Sequence, residues 1–140
     1  MKKGTITLRK DLDGKEKVIT VEIGYCVATE TGYERVSGKS IDVFSPQKEY
    51  DDKGNLKGLM PAIATLEDYI TLSVAAITAA YAEKGQDAPV TSKDLLYACT
   101  PEEIKSIITE VCKLRNEWYL VPSVMQEDTP EKPASKEKND

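Results

Sequence analysis

Cys26, Cys99 and Cys112 are the thiols of this chain, and no histidine accompanies them. No CxxC pair occurs, so neither a dithiol redox centre nor a zinc site is spelled out, and each thiol reads as a small apolar side chain in a reducing compartment. Without imidazole the chain also lacks the usual general base at neutral pH and the commonest metal ligand. Carboxylate pairs are the next candidates for chemistry. Asp51 with Asp52 falls in turn sequence, and Glu102 with Glu103 opens a helix, where negative charge is locally favoured. Gly38-Lys39-Ser40 has the closing residues of a phosphate-binding loop, but it follows a helix and lacks the first glycine at the required spacing. The pattern therefore nominates no catalytic, cofactor-binding or metal-binding residue, and no enzyme is expected.

Charge narrows the partners. The 140 residues hold 19 Lys and Arg against 24 Asp and Glu, a formal net charge of −5. Residues 1–40 carry 8 basic and 6 acidic side chains, and residues 60–110 carry 3 and 8. No large basic patch of the kind that holds a phosphate backbone stands out, so no nucleic-acid partner is expected. No apolar run reaches membrane-spanning length, and the start, Met1-Lys2-Lys3-Gly4-Thr5, does not read as a signal peptide. A soluble, cytoplasmic protein is expected, with no membrane partner.

The elements follow from periodicity. Thr5–Arg9 alternates with Ile6 and Leu8 on one face, Val18–Ile23 with Ile19, Val21 and Ile23, and Asp13-Gly14 between them is hairpin-turn chemistry. From Tyr25 the spacing becomes helical, with Cys26, Val27, Glu30, Tyr33 and Val36 in register and Gly38 as left-handed cap, which predicts a helix over Tyr25–Ser37. Ile41–Phe44 is compatible with a third short strand, and the turn-rich stretch after it with a second hairpin or a mobile loop. Thr65 with Asp68 forms a capping box for a helix bearing Leu66, Tyr69, Ile70, Val74, Ile77 and Tyr81. Alanines beside that stripe permit close approach of a neighbour, so this helix is expected to be central. Thr91–Cys99 reads as a short helix burying Leu95, Leu96 and Cys99. Thr100, Pro101 and Glu103 then cap a last helix through Ile104, Ile107, Ile108, Val111, Leu114 and Trp118. The fold class is α+β: an N-terminal antiparallel hairpin packed against three to four helices. Residues 1–122 are expected to form this single domain, and 123–140, rich in proline and mixed charge, a disordered polar tail.

Seven tyrosines and one tryptophan against one phenylalanine remain to be explained. Such side chains line core margins, and they also serve contact surfaces that are apolar with a polar edge. Tyr69, Tyr81, Trp118 and Tyr119 are the candidates for a partner surface. The close succession of the last two helices leaves one alternative, a small regulatory protein- or DNA-binding module using that pair. Lys105, Lys113 and Arg115 face competition there from Glu102, Glu103, Glu110 and Glu117.

Two stretches carry a resemblance. The segment from Gly24 to Ile41, with Tyr33 and Glu34 ahead of Ser37-Gly38-Lys39-Ser40, resembles the first helix of tail assembly chaperones of long-tailed bacteriophages and prophages. In that family an aromatic residue and a glutamate precede a Thr/Ser-Gly-Lys-Ser turn. Thr100-Pro101-Glu102-Glu103-Ile104 through to Trp118-Tyr119 is similar to the family's final helix, and the likeness covers most of residues 4–122. The segment from Ser45 to Leu59 departs from the compact members. The resemblance implies a non-catalytic protein that coats the long helical tape measure protein, keeps it soluble while the tail tube is built, self-associates, and is absent from the mature virion. In the family, a longer form made by ribosomal frameshifting carries an extension that recruits tail tube protein.

Glu137-Lys138-Asn139 can be encoded by the slippery sequence A AAA AAC, so a −1 frameshift at this point, as the resemblance implies, and an ordinary polar tail are both open, and the codons decide between them. Sequencing the gene checks this: a GAG or AAG codon at Glu137 or Lys138, or an immediate stop in the −1 frame, excludes the site.

Overall fold

The computed structural model describes residues 1–120, so the expected tail and the frameshift tripeptide lie outside the described residues. Strands β1 (Lys2–Leu12) and β2 (Lys15–Tyr25) pair antiparallel, with Ile6 opposite Val21 and Leu8 opposite Ile19. The alternation places Ile6, Leu8, Val21 and Ile23 on the buried face, as the period of two requires, while Thr5, Thr7 and Thr20 stay exposed. Asp13 and Gly14 turn the hairpin with both φ angles positive, at 54° and 80°. A two-residue turn of this hand matches the strand twist and favours an Asp-Gly pair. Both strands outrun the predicted Thr5–Arg9 and Val18–Ile23. Their far ends, where Lys10 faces Lys17 and Asp11 faces Glu16, are held by backbone pairing that leaves no apolar period in the sequence.

Helix α1 covers Val27–Ser37, two residues later than predicted. Tyr25 closes β2 opposite Lys2, fully buried, and Cys26 is the extended N-cap. The Cys26 N–H donates to Thr29 Oγ1 at 3.2 Å, and the Thr29 hydroxyl donates to the Gly24 carbonyl at 2.8 Å, locking strand to helix. Gly38 ends α1 with φ of 73°, the left-handed cap predicted. The inward face is Thr29 and Tyr33, whereas Val27 and Val36 are exposed.

Ile41–Phe44 is a 3₁₀ turn and not a strand. Ser40 Oγ accepts from the Asp42 N–H at 3.1 Å, and Phe44 enters the core between the edges of Tyr33 and Tyr69, with ring centroids 4.9 and 5.1 Å away. Seating that ring outweighs the strand propensity of Ile41 and Val43. Strands β3 (Gln47–Tyr50) and β4 (Leu56–Met60) then form the second hairpin that the turn residues allowed. Asp51 Oδ1 accepts from the N–H groups of Lys53 and Asn55, both at 2.9 Å, and Gly54 takes φ of 84°.

Helix α2 (Leu66–Ala82) is central: it packs on β2 and meets α1, α3 and α4. Its buried face includes Ile70, Leu72, Ser73, Ala76, Ile77 and Ala80, so the predicted stripe is displaced, with Leu66 exposed and Val74 half-buried. The expected close approach is present. A Cβ on Gly32 of α1 would lie 3.7 Å from the Ala75 Cβ. Helix α3 is shorter than predicted, Ser92–Tyr97; it buries Leu95, exposes Leu96 and leaves Cys99 half-buried. Helix α4 (Pro101–Leu120) lays Ile107, Val111 and Leu114 on β1. Its cap is the predicted box: the Thr100 N–H donates to Glu103 Oε1 at 2.8 Å and the Glu103 N–H to Thr100 Oγ1 at 3.2 Å. Glu103 also receives Arg9 Nη2 at 2.9 Å, which ties α4 to β1.

Asp68 joins these parts. Its carboxylate is 3% exposed and accepts from the Thr65 N–H (2.8 Å), the Thr65 hydroxyl (3.0 Å), the Tyr33 hydroxyl (3.0 Å) and Lys39 Nζ (3.1 Å). Burial alone would raise its pKa, but these donors, led by the Thr65 backbone, hold it down at about 2. Replacing Asp68 with Ala is expected to cost about 2–4 kcal/mol, because the cap is lost and the buried Tyr33 hydroxyl loses its acceptor. Because the folded carboxyl has the lower pKa, its contribution is complete above the unfolded value near 4. As pH falls from about 4 to about 2, the native protein is expected to lose roughly 2 kcal/mol more stability than Asp68→Ala. Urea unfolding at a series of pH values measures both effects.

Candidate interaction surface

Small side chains on α1 and α2 shape a broad concavity. On α1, Ala28, Gly32, Arg35 and Val36 fall on one helical face; on α2, Ile70, Thr71, Val74, Thr78 and Ala82 face them, and Ala88, Val90 and Leu96 close the far wall. The cleft has a volume of about 650 Å³. Only Arg35 and Glu67 bring charge to its lining. Small residues at i and i+4 put little side chain between the helices, so the backbones approach at Gly32 and Ala75 while a furrow stays open beside them.

A second apolar cleft, about 470 Å³, adjoins it through the shared residues Ile70 and Leu96 and runs past Leu66, Leu95 and Ile104 to Ile108. Ile108 then borders a third, with Tyr69, Cys112 and Leu120. The outer surface of α1–α4 is thus crossed by a contiguous apolar track, with exposed Val36, Leu66 and Leu96 along it.

The four aromatic candidates do not form one patch. Tyr69 is half-buried, edge-on to Phe44, and borders the third cleft. Tyr81 lies twelve positions further along α2, about 18 Å along the axis. Its hydroxyl accepts the Glu22 N–H at 3.2 Å, and Lys84 Nζ sits 4.6 Å from its ring centroid. Trp118 is half-buried against the core. Tyr119 is 55% exposed; Arg115 stands 4.9 Å from its ring centroid, and its hydroxyl donates to Glu30, which also receives the Tyr25 hydroxyl at 2.8 Å. Desolvation, then the Glu30 carboxylate, pushes the Tyr119 phenol up to about 12.

The residues considered for chemistry are placed structurally. Lys39, of the Gly38-Lys39-Ser40 triplet, pairs with Asp68, and Ser40 caps the 3₁₀ turn. Burial pushes the Cys99 and Cys112 thiols up, away from the thiolate form. Among the described residues no three Cys, Asp or Glu side chains gather where they could hold a metal ion, and no helix is long and apolar enough to cross a membrane.

Fold and surface together define an α+β domain with an apolar track on its helical side. Compared with protein-family models, curated proteins and solved structures, the chain matches none.

The four aromatics do not mark the α1–α2 cleft; of them, only Tyr69 borders the apolar track. The signal that could have found the cleft is the spacing of Ala28 with Gly32, and of Ala75, Ala79 and Ala82, read as a surface and not only as a helix contact. Truncating Trp118 to Ala is expected to lower stability by about 2 kcal/mol, since its ring covers the core, whereas Tyr119→Phe is expected to lose less than about 1 kcal/mol. Denaturant midpoints of the two variants check the ordering.

Proposed function

We propose that this protein is a non-catalytic chaperone of phage or prophage tail assembly, which binds and solubilises the tape measure protein in the bacterial cytoplasm and is absent from the mature virion. The observation that carries the reading is the apolar track over α1–α4, centred on the α1–α2 cleft. A long amphipathic helix needs repeated apolar contact of this shape, because such a helix buries residues at i, i+3, i+4 and i+7 in a groove. The sequence likeness at Gly24–Ile41 and Thr100–Tyr119 supports the same reading. Weak single contacts suffice when many copies line one partner. The net charge of −5 keeps the unoccupied form apart from indiscriminate association.

The β3–β4 arm supports self-association as the second half of this reading. Tyr50, Leu56, Leu59 and Met60 are each more than half exposed, and a lone two-stranded hairpin is marginal until it is covered. Where the gene encodes a frameshifted longer form, that form would recruit tail tube protein.

Co-expression with a tape measure protein, read out as the soluble fraction, tests the proposal together with two classes of variant. Thr78→Trp, which fills the cleft from an exposed position, and Val36→Asp, which charges its rim, are expected to reduce binding about tenfold with unchanged circular dichroism. Leu59→Lys on the arm is expected to lower the sedimenting mass while leaving binding to the tape measure protein within about threefold. Full solubilisation by both cleft variants would overturn the assignment of the cleft.

A further inference from the structure

The chain has three arginines in three settings. Arg9 is paired with Glu103 at 2.9 Å, and Arg35 is exposed on α1. Arg115 is half-buried and forms no ion pair among the described residues. Its guanidinium lies 4.9 Å from the Tyr119 ring centroid and 6.0 Å from that of Phe44, and Nη2 donates to Ser45 Oγ at 3.0 Å. Its Nε is buried without a hydrogen-bond partner among the described residues. The rings and the serine hold the guanidinium in place, so little rotamer freedom is left to lose when a ligand binds. Tyr119 is held in turn by its hydrogen bond to Glu30, whose same oxygen also receives Tyr25.

This cation lines a cleft of about 450 Å³ with Ser45, Asn116, Tyr119, Leu120 and Asp42. Asn116 and Leu120 also line the neighbouring apolar cleft beside Tyr69, Ile108 and Cys112. A fixed guanidinium fork matches a carboxylate, which it can meet with two parallel hydrogen bonds. A phosphate dianion is the poorer match, because Asp42 shares the cleft and only one cation opposes it.

We infer that the Arg115 cleft is a binding subsite for a single carboxylate carried next to an apolar group, the chemistry an acidic residue presents in an amphipathic polypeptide. Arg115 receives the carboxylate, with Ser45 and Asn116 beside it, and the apolar neighbour rests against Leu120 and the α4 surface. Asp42, in the same lining, repels the ligand and limits its affinity. The subsite shares no lining residue with the α1–α2 cleft, so it does not depend on that cleft binding a helix.

Side-chain ¹⁵N NMR of the intact protein tests this at neutral pH and constant ionic strength, with acetate, hexanoate and inorganic phosphate as probes. The Arg115 Nε–Hε resonance is expected to move and saturate with hexanoate, at an affinity about fivefold or more above acetate because of the added methylenes. The Arg9 and Arg35 resonances, as internal controls, are expected to stay in place. Asp42→Asn is expected to tighten hexanoate binding about twofold or more by removing the opposing charge. The inference is overturned if Arg115 fails to saturate with hexanoate, if phosphate shifts it as strongly, if Arg35 moves in parallel, or if Asp42→Asn weakens binding.

Discussion

The buried Asp68 carboxylate is the constraint on which the helical half of this protein depends. It is the N3 residue of α2, so it caps its own helix through Thr65, yet it also receives the Tyr33 hydroxyl from α1 and the Lys39 ammonium from the segment that follows α1. A charge this deeply buried is tolerable only when its lone pairs are filled. Filling them brings α1, its exit and the start of α2 to one point. Phe44 then follows Lys39 into the space between Tyr33 and Tyr69, so the polar knot and the aromatic stack are two sides of one junction.

Helix α2 works on two sides because its residues are graded in size. Its buried face carries Leu72, Ile77 and small neighbours, and Tyr81 reaches the Glu22 backbone of β2. Toward solvent it presents threonines and alanines beside α1, where little side-chain volume leaves the furrow open. The same economy of volume that lets the helices approach at Gly32 and Ala75 therefore produces the surface on which the functional proposal rests. Hairpin β1–β2 is the platform for this arrangement, and α4 is moored to it by three apolar side chains and the Arg9–Glu103 pair.

The aromatic residues divide by role. Tyr25, Tyr33 and Phe44 are interior, Tyr69, Tyr81 and Trp118 cover the core edge, and Tyr50, Tyr97 and Tyr119 stand largely in water. Tyrosine suits the core edge because its ring packs while its hydroxyl reaches a polar partner, as Tyr81 does at the Glu22 N–H. Counting tyrosines in the sequence could not separate these groups, since burial depends on which element crosses over each ring. The proposed partner surface accordingly moves from a set of aromatics to the apolar track they only partly border.

What the sequence by itself determined is what neighbours along the chain can enforce. Asp13-Gly14 set the hairpin turn, the alternation of Ile6, Leu8, Val21 and Ile23 set its buried face, and Thr65 with Asp68 and Thr100 with Glu103 set two helix starts, each within a few residues. Tertiary structure decided the rest. Ile41–Phe44 has strand-like residues, but a distant pair of tyrosines receives Phe44 and winds the segment into a 3₁₀ turn. Tyr25 belongs to β2 because Lys2 pairs with it from the far end of β1, and the clefts exist only where separate helices come together. Propensity and period are local, whereas the seat of a ring, the partner of a strand end and the shape of a furrow are set by residues many positions away.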